Sequence, residues 1–155
     1  MIKGLDDAPM STLASAALPL AALVAVNGMG DLDAEAQCLA TAVYFESKGE
    51  PLEGQLAVAQ VVINRAHSGR FPTTLCGVVR QHKQFSFVHR GAFPKFNAGC
   101  EAWRKARAIA QIAQQRLVAS LPTNVLWYHA DYVTPRWRSA LIKAVKIGQH
   151  IFYRA

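Results

Sequence analysis

Acidic side chains are scarce in this chain, and after residue 53 they almost disappear. Eight of the ten acids (Asp6, Asp7, Asp31, Asp33, Glu35, Glu46, Glu50 and Glu53) precede residue 54, and only Glu101 and Asp131 follow. Fifteen of the seventeen Lys and Arg residues lie after residue 60, so the net charge of +7 sits on the later part of the chain. Such a basic body is drawn toward polyanions: nucleic acid, anionic lipid headgroups or the anionic bacterial envelope. Charged residues are only 17% of the total against 52% apolar, which excludes disorder and leaves a globular body. The three cysteines, Cys38, Cys76 and Cys100, form no CxxC pair, which argues against a zinc ribbon or a thioredoxin-type site. Their odd number leaves at least one thiol free. The alternatives are a Cys76–Cys100 bridge in an oxidising compartment and three reduced, partly buried thiols. No metal-ligand spacing recurs, so neither metal nor cofactor is expected, and no internal repeat is present.

At 155 residues the chain suits one domain. From Ala8 to Gly30 no residue is charged, and Leu13 to Val26 reads LASAALPLAALVAV. That run is short for a membrane span, lacks a clear cleavage site, and is preceded by Asp6 and Asp7 against a single Lys3. Residues 1–30 are therefore set apart as an apolar segment: a signal, a signal-anchor, a releasable membrane segment or a plain helix. The folded domain is expected over residues 31–155.

Within it, Asp31 or Asp33 caps a helix running from about Ala34 to Glu46. Pro51 opens a second helix through LAVAQVVINRA, apolar almost all round and hence central. His67 to Thr73 reads as a turn and Gln81 to Gly99 as an irregular loop. A third helix is expected over Glu101 to Ser120, a strand over Val125 to His129, a last helix over Trp137 to Ile147 stopped by Gly148, and a final strand over His150 to Tyr153. The fold class is α+β, predominantly helical, with a small β-hairpin or short sheet.

Glu46 is the most informative acid. The helical stripe of Leu39, Ala42 and Val43 continues seven residues after Leu39 into Glu46, so a carboxyl sits on an apolar face just before the Gly49 turn. Burial against apolar groups keeps a carboxylic acid protonated near neutral pH, which cleavage of a glycosidic bond requires. Glu50 and Glu53 read as acids favoured at a helix N-terminus, and Asp131 and Glu101 as ion-pair partners in a basic body. Gln84, Phe85 and Ser86, and separately Tyr128 and His129 after Trp127, combine aromatic surfaces with hydrogen-bonding tips, a pairing that suits sugar rings. Core packing is the competing account of the aromatics, and a structural role that of His129. A thiol nucleophile at Cys38 or Cys76, served by His82, His89 or His129, is a second reading, and a non-catalytic basic envelope-binding module a third.

The run CLATAVYFESKGEPLEGQLAVAQVVINR (Cys38 to Arg65), then FPTTLCGVV, QFSF, WYHADYVTPRW and IGQHIFYR, resembles the cell wall hydrolase family typified by spore cortex-lytic enzymes of the SleB type. The resemblance covers about residues 36 to 154. It implies a lysozyme-like fold and cleavage of the bond between N-acetylmuramic acid and N-acetylglucosamine, by lytic transglycosylation in well-studied members. It also implies Glu46 as the catalytic acid; Gln55, Gln84, Phe85, Ser86, Tyr128 and His129 are the residues expected to bind substrate. Many bacterial relatives carry cysteines flanking QFSF, whereas this chain has Lys83 before it and Val88 and His89 after it, a departure that leaves Cys76 to pair elsewhere, with Cys100, or not at all. The implied partner is peptidoglycan rather than nucleic acid, met by a monomer at the cell envelope or periplasm, of bacterial or phage origin, with transient membrane association through residues 1–30.

Overall fold

A computed structural model describes residues 18–28, 30–81 and 92–155. Among the described residues five α-helices come first: α1 (Leu20–Asn27), α2 (Ala34–Ser47), α3 (Leu52–His67), α4 (Leu75–Arg80) and α5 (Glu101–Gln114). Strand β1 (Val125–Ala130), a 3₁₀ turn (Arg136–Ala140), β2 (Ile142–Ile147) and β3 (His150–Arg154) follow. The strands form one antiparallel sheet in the order β1-β3-β2, so the last strand in sequence is the middle one.

Helix α3 is central because both of its sides are apolar. One side joins Leu39 and Val43 of α2 and Ile109 and Ile112 of α5 in the main core, through Leu56, Val62 and Ile63. The other side, Ala57, Val58 and Val61, packs on Val125 and Phe152 of the sheet. Each such fully buried aliphatic side chain contributes about 1.5–3 kcal/mol. Polar residues of α3 fix the sheet's edge: Asn64 Nδ2 donates to the carbonyls of Pro122 (2.9 Å) and Val125 (3.0 Å), and Arg65 Nε donates to that of Leu126 (2.7 Å).

Helix α2 starts as expected, with Asp33 accepting from Ala36 N–H at 2.8 Å. Glu35 does more than favour its own helix dipole: its carboxylate accepts from Leu75 and Cys76 N–H, both at 2.9 Å, and so caps α4. That six-residue helix was not anticipated; it is too short to show a helical period, and a neighbouring side chain supplies its start. A Cys38–Cys76 disulfide ties α2 to α4, and Cys100 is free. The pairing of Cys76 with Cys100 and the alternative of three reduced thiols are both corrected: Cys38 and Cys76 face each other only because α4 docks on α2.

Three element boundaries also differ. Pro51 precedes α3 as its N-cap instead of opening it. Helix α5 stops at Gln114 because Arg116 takes a left-handed conformation (φ 55°), and Leu117 N–H closes the end on the Ile112 carbonyl. The last expected helix is the 3₁₀ turn plus β2. The periodic apolar run Trp137 to Ile147 fits a helix locally, but Ile147 pairs with His150 across a two-residue turn, and β3 draws the segment into the sheet. Among the described residues no helix is long and apolar enough to cross a membrane. Helix α1 packs against α5 with Val24 buried.

Candidate active site

Glu46 occupies the next-to-last position of α2, after the apolar stripe that ends in Val43. Its neighbours Tyr44 and Phe45 join Phe96 and Trp103 in an aromatic cluster, with Tyr44 stacked on Phe96 at 4.7 Å, which anchors the segment before α5 beside the end of α2. Opposite Glu46 stands Tyr128 of β1, whose hydroxyl donates to Glu46 Oε1 at 2.8 Å. Burial pushes the Glu46 carboxyl above the ordinary carboxylate range; the Tyr128 hydrogen bond and the Arg65 guanidinium pull the other way without cancelling it. Tyr128 is held well above the usual phenol value by burial and by the Glu46 charge, so it remains a proton donor. Arg65 lies buried under this pair and stacks on Phe71 at 4.7 Å.

Glu50 does not act as a helix N-terminal acid. Its Oε1 accepts from Gln149 N–H at 2.7 Å and lies 3.8 Å from His150 Nδ1, so the acid after α2 latches onto the β2–β3 turn. Gly148 makes room for it: its φ is +57°, and a Cβ there would stand 2.5 Å from Glu50 Oε1. Burial pushes the His150 imidazole below its ordinary value, and its ring lies 5.1 Å from that of Tyr128. Thus GEP and IGQH, a hundred residues apart, meet behind the Tyr128–Glu46 pair.

Gln55 is buried in the same place, its Nε2 donating to the Glu50 carbonyl at 3.1 Å. His129 is not brought to Glu46. Side chains alternate along β1, so His129 points to the opposite face of the sheet from Tyr128. There its Nδ1–H donates to the Ala130 carbonyl (2.7 Å) and its Nε2 accepts from the Tyr153 hydroxyl (2.8 Å). Gln84, Phe85 and Ser86 lie outside the described residues. Asp131 pairs with Lys146 at 3.1 Å and Glu101 with Arg104, the ion-pair roles expected of them. Sequence reasoning missed Arg65 and His150 as parts of the site. The signal for Arg65 was there: an arginine in an otherwise apolar buried helix needs a counter-charge. A hollow of about 270 Å³ lined by Glu35, Gln60, His67 and Arg116 involves the opposite end of α2 and does not include Glu46.

A helical domain with a small sheet, and one buried carboxyl of raised proton affinity where the two meet, defines a lysozyme-like protein. The model of the Cell Wall Hydrolase family matches residues 49–153, beginning just after Glu46, and the chain belongs to that family. It is 38% identical over 118 residues to a spore cortex-lytic enzyme of Bacillus cereus, an alignment covering 75% of this chain and 42% of the relative. The corresponding enzyme of Bacillus subtilis is 33% identical over 114 residues, covering 74% and 35%. The chain thus spans about two-fifths of the length of these curated relatives. Among solved structures it is similar to the catalytic domain of the germination-specific lytic transglycosylase SleB from Bacillus anthracis, with TM-score 0.63, 35% identity, and 81% of this chain and 98% of that one covered. It is equally similar to the SleB catalytic domain of Bacillus cereus, with TM-score 0.62 and 35% identity over 81% and 93%.

Proposed function

We propose that this domain cleaves the β-1,4 bond between N-acetylmuramic acid and N-acetylglucosamine in peptidoglycan as a lytic transglycosylase. The observation that carries this is Glu46: a carboxyl whose hold on its proton is strengthened by burial, with a tyrosine hydroxyl bound to one of its oxygens. Tyr128 occupies Oε1 and leaves Oε2 for the reacting proton. Glu46 donates that proton to the glycosidic oxygen as the C1–O bond breaks. The C6 hydroxyl of the muramyl residue attacks C1, and the Glu46 carboxylate takes its proton, which restores the acid and closes a 1,6-anhydro ring.

Hydrolysis in the usual two-acid arrangement needs a second carboxylate about 5–9.5 Å from the first. The candidates are committed elsewhere: Glu50 to the β2–β3 turn, Asp131 to Lys146, and Glu53 to the exposed first turn of α3. The thiol-nucleophile reading loses Cys38 and Cys76 to their disulfide, and a purely binding module leaves the buried acid without a purpose. Gln55, Gln84, Phe85, Ser86 and Tyr128 remain the proposed substrate-contacting set, whereas His129, expected to join them, supports the sheet from its far side. The same reading puts a monomeric domain on the wall side of the membrane, delivered by residues 1–30. Glu46→Gln should lower cleavage of purified sacculi by about 10² or more while wall binding persists. Wild-type digests should contain anhydro-muramyl ends, about 18 Da lighter than reducing ends by the water that hydrolysis consumes. Near-normal cleavage by Glu46→Gln overturns the assignment; reducing ends with an inactive variant keep the residue and make the reaction hydrolytic.

A further inference from the structure

The sheet has a second face, turned away from Glu46, which the proposed chemistry does not use. Register places Trp127 of β1 opposite Tyr153 of β3, and Tyr153 opposite Lys143 of β2; the next row is His129, Ile151 and Lys146. Residues paired in this way share a face, and Tyr128 belongs to the other one. Trp137 of the 3₁₀ turn lies on this outer face, its ring 5.7 Å from that of His129 and 5.4 Å from that of Tyr153. The Arg70 guanidinium lies over Trp127 at 5.0 Å.

This region is both unusually apolar for a surface and strongly basic. Of eight large hydrophobic side chains exposed among the described residues, three (Tyr132, Val133 and Trp137) fall in the segment between β1 and β2, whereas Ile142 and Val145, paired with Arg154 and Phe152, stand on the Tyr128 side of the sheet. Arg136, Arg138 and Lys143 are exposed beside them, and Asp131, the acid just before this segment, pairs with Lys146. Strand β2 is a sheet edge with no neighbour beyond it among the described residues.

We propose that this outer face binds a second stretch of peptidoglycan, apart from the strand being cut. This rests on the reading of the protein as a peptidoglycan-cleaving enzyme and names a further contact with the same polymer. Peptidoglycan offers sugar rings with apolar faces and peptide carboxylates at short intervals. The outer face answers with aromatic rings and cations set close together: Arg136 and Arg138 flank Trp137 in the chain, and Lys143 pairs across the strands with Tyr153. An anionic lipid surface shares the charge, but interfacial binding segregates an apolar side from a cationic one, and here Trp137 stands between Arg136 and Arg138. Holding the insoluble polymer at a second point raises its effective concentration at Glu46.

The test uses the full chain carrying Glu46→Gln, which separates binding from cleavage. Co-sedimentation with purified sacculi should fall about tenfold when Arg136→Glu, Arg138→Glu and Lys143→Glu are added, and wild-type-face binding should weaken with salt. With Glu46 intact, the triple variant should cut sacculi more slowly yet turn over a short soluble glycan fragment within about twofold of wild type. Far-UV circular dichroism reports folding; should the triple variant misfold, Arg138→Gln with Lys143→Gln carries the same comparison. Undiminished sedimentation of the folded variants overturns the proposal. So does preferential capture by phosphatidylglycerol vesicles that the charge reversals abolish. Sedimentation does not depend on cleavage, so failure of the catalytic reading appears separately, in the products of the wild-type digest.

Discussion

Replacing Tyr128 by Phe removes one hydroxyl and leaves the ring that packs near His150 and Phe152 in place. What is lost is the 2.8 Å hydrogen bond to Glu46 Oε1, which favours the ionised form of the acid. A hydrogen bond to a charged group contributes about 1.5–3 kcal/mol, a factor of roughly 10 to 150 in the ionisation equilibrium. Burial already pushes Glu46 upward, and without the tyrosine the only opposing influence among those acting on it is the Arg65 charge. Glu46 in Tyr128→Phe should therefore hold its proton to higher pH than in the wild type. Cleavage by a general acid fails as that acid ionises, so the alkaline limb of the rate profile should move to higher pH. The low-pH plateau should change by less than about tenfold, because the proton donor itself is intact. Turbidity loss of sacculi across a pH series measures both, with thermal melting to confirm folding. An alkaline limb that stays in place or moves to lower pH refutes the account of how this acid is tuned.

Glu46→Gln should also change stability with a definite sign. The folded state raises the proton affinity of Glu46, so wild-type stability falls as pH rises from the ordinary carboxylate range through the raised value. The variant, which carries no charge to bury, should gain melting temperature relative to wild type across that window, and a gap that narrows with rising pH would contradict the burial argument. Removing the disulfide by Cys38→Ser with Cys76→Ser opens a loop with a sequence separation of 38. Chain entropy puts the loss at about 4 kcal/mol, readable by denaturant unfolding, while lysis should survive at temperatures where the variant stays folded.

Glu46 was legible because its signal is local: helix period, an apolar stripe, and a glycine turn within four residues. Helices α2 and α3 were legible for the same reason. Helix α4 was not, because it is short and leans on Glu35 and on the disulfide to Cys38, partners about forty residues earlier in the chain. Strand β2 was misread because Trp137 to Ile147 carries a helical period that pairing with β3 overrides. Glu50 illustrates the limit most clearly. Placed before a helix, it has an adequate local explanation, and only the arrival of Gly148 and Gln149 reveals that its carboxylate serves another segment.

The strand order bears on when this protein can act. Strands β1 and β2 each pair with β3 and not with one another, so neither has a partner until residues 150–154 exist. Tyr128 lies on β1, and His150, Gln149 and the turn that receives Glu50 belong to β3 or its approach. On a ribosome, helices α2 and α3 with Glu46 and Arg65 emerge early, whereas Tyr128 and the turn that receives Glu50 are ordered only after the middle strand has been made. Assembly of the cleft is thereby deferred until the middle strand has been made, which keeps the proposed activity silent in the nascent chain.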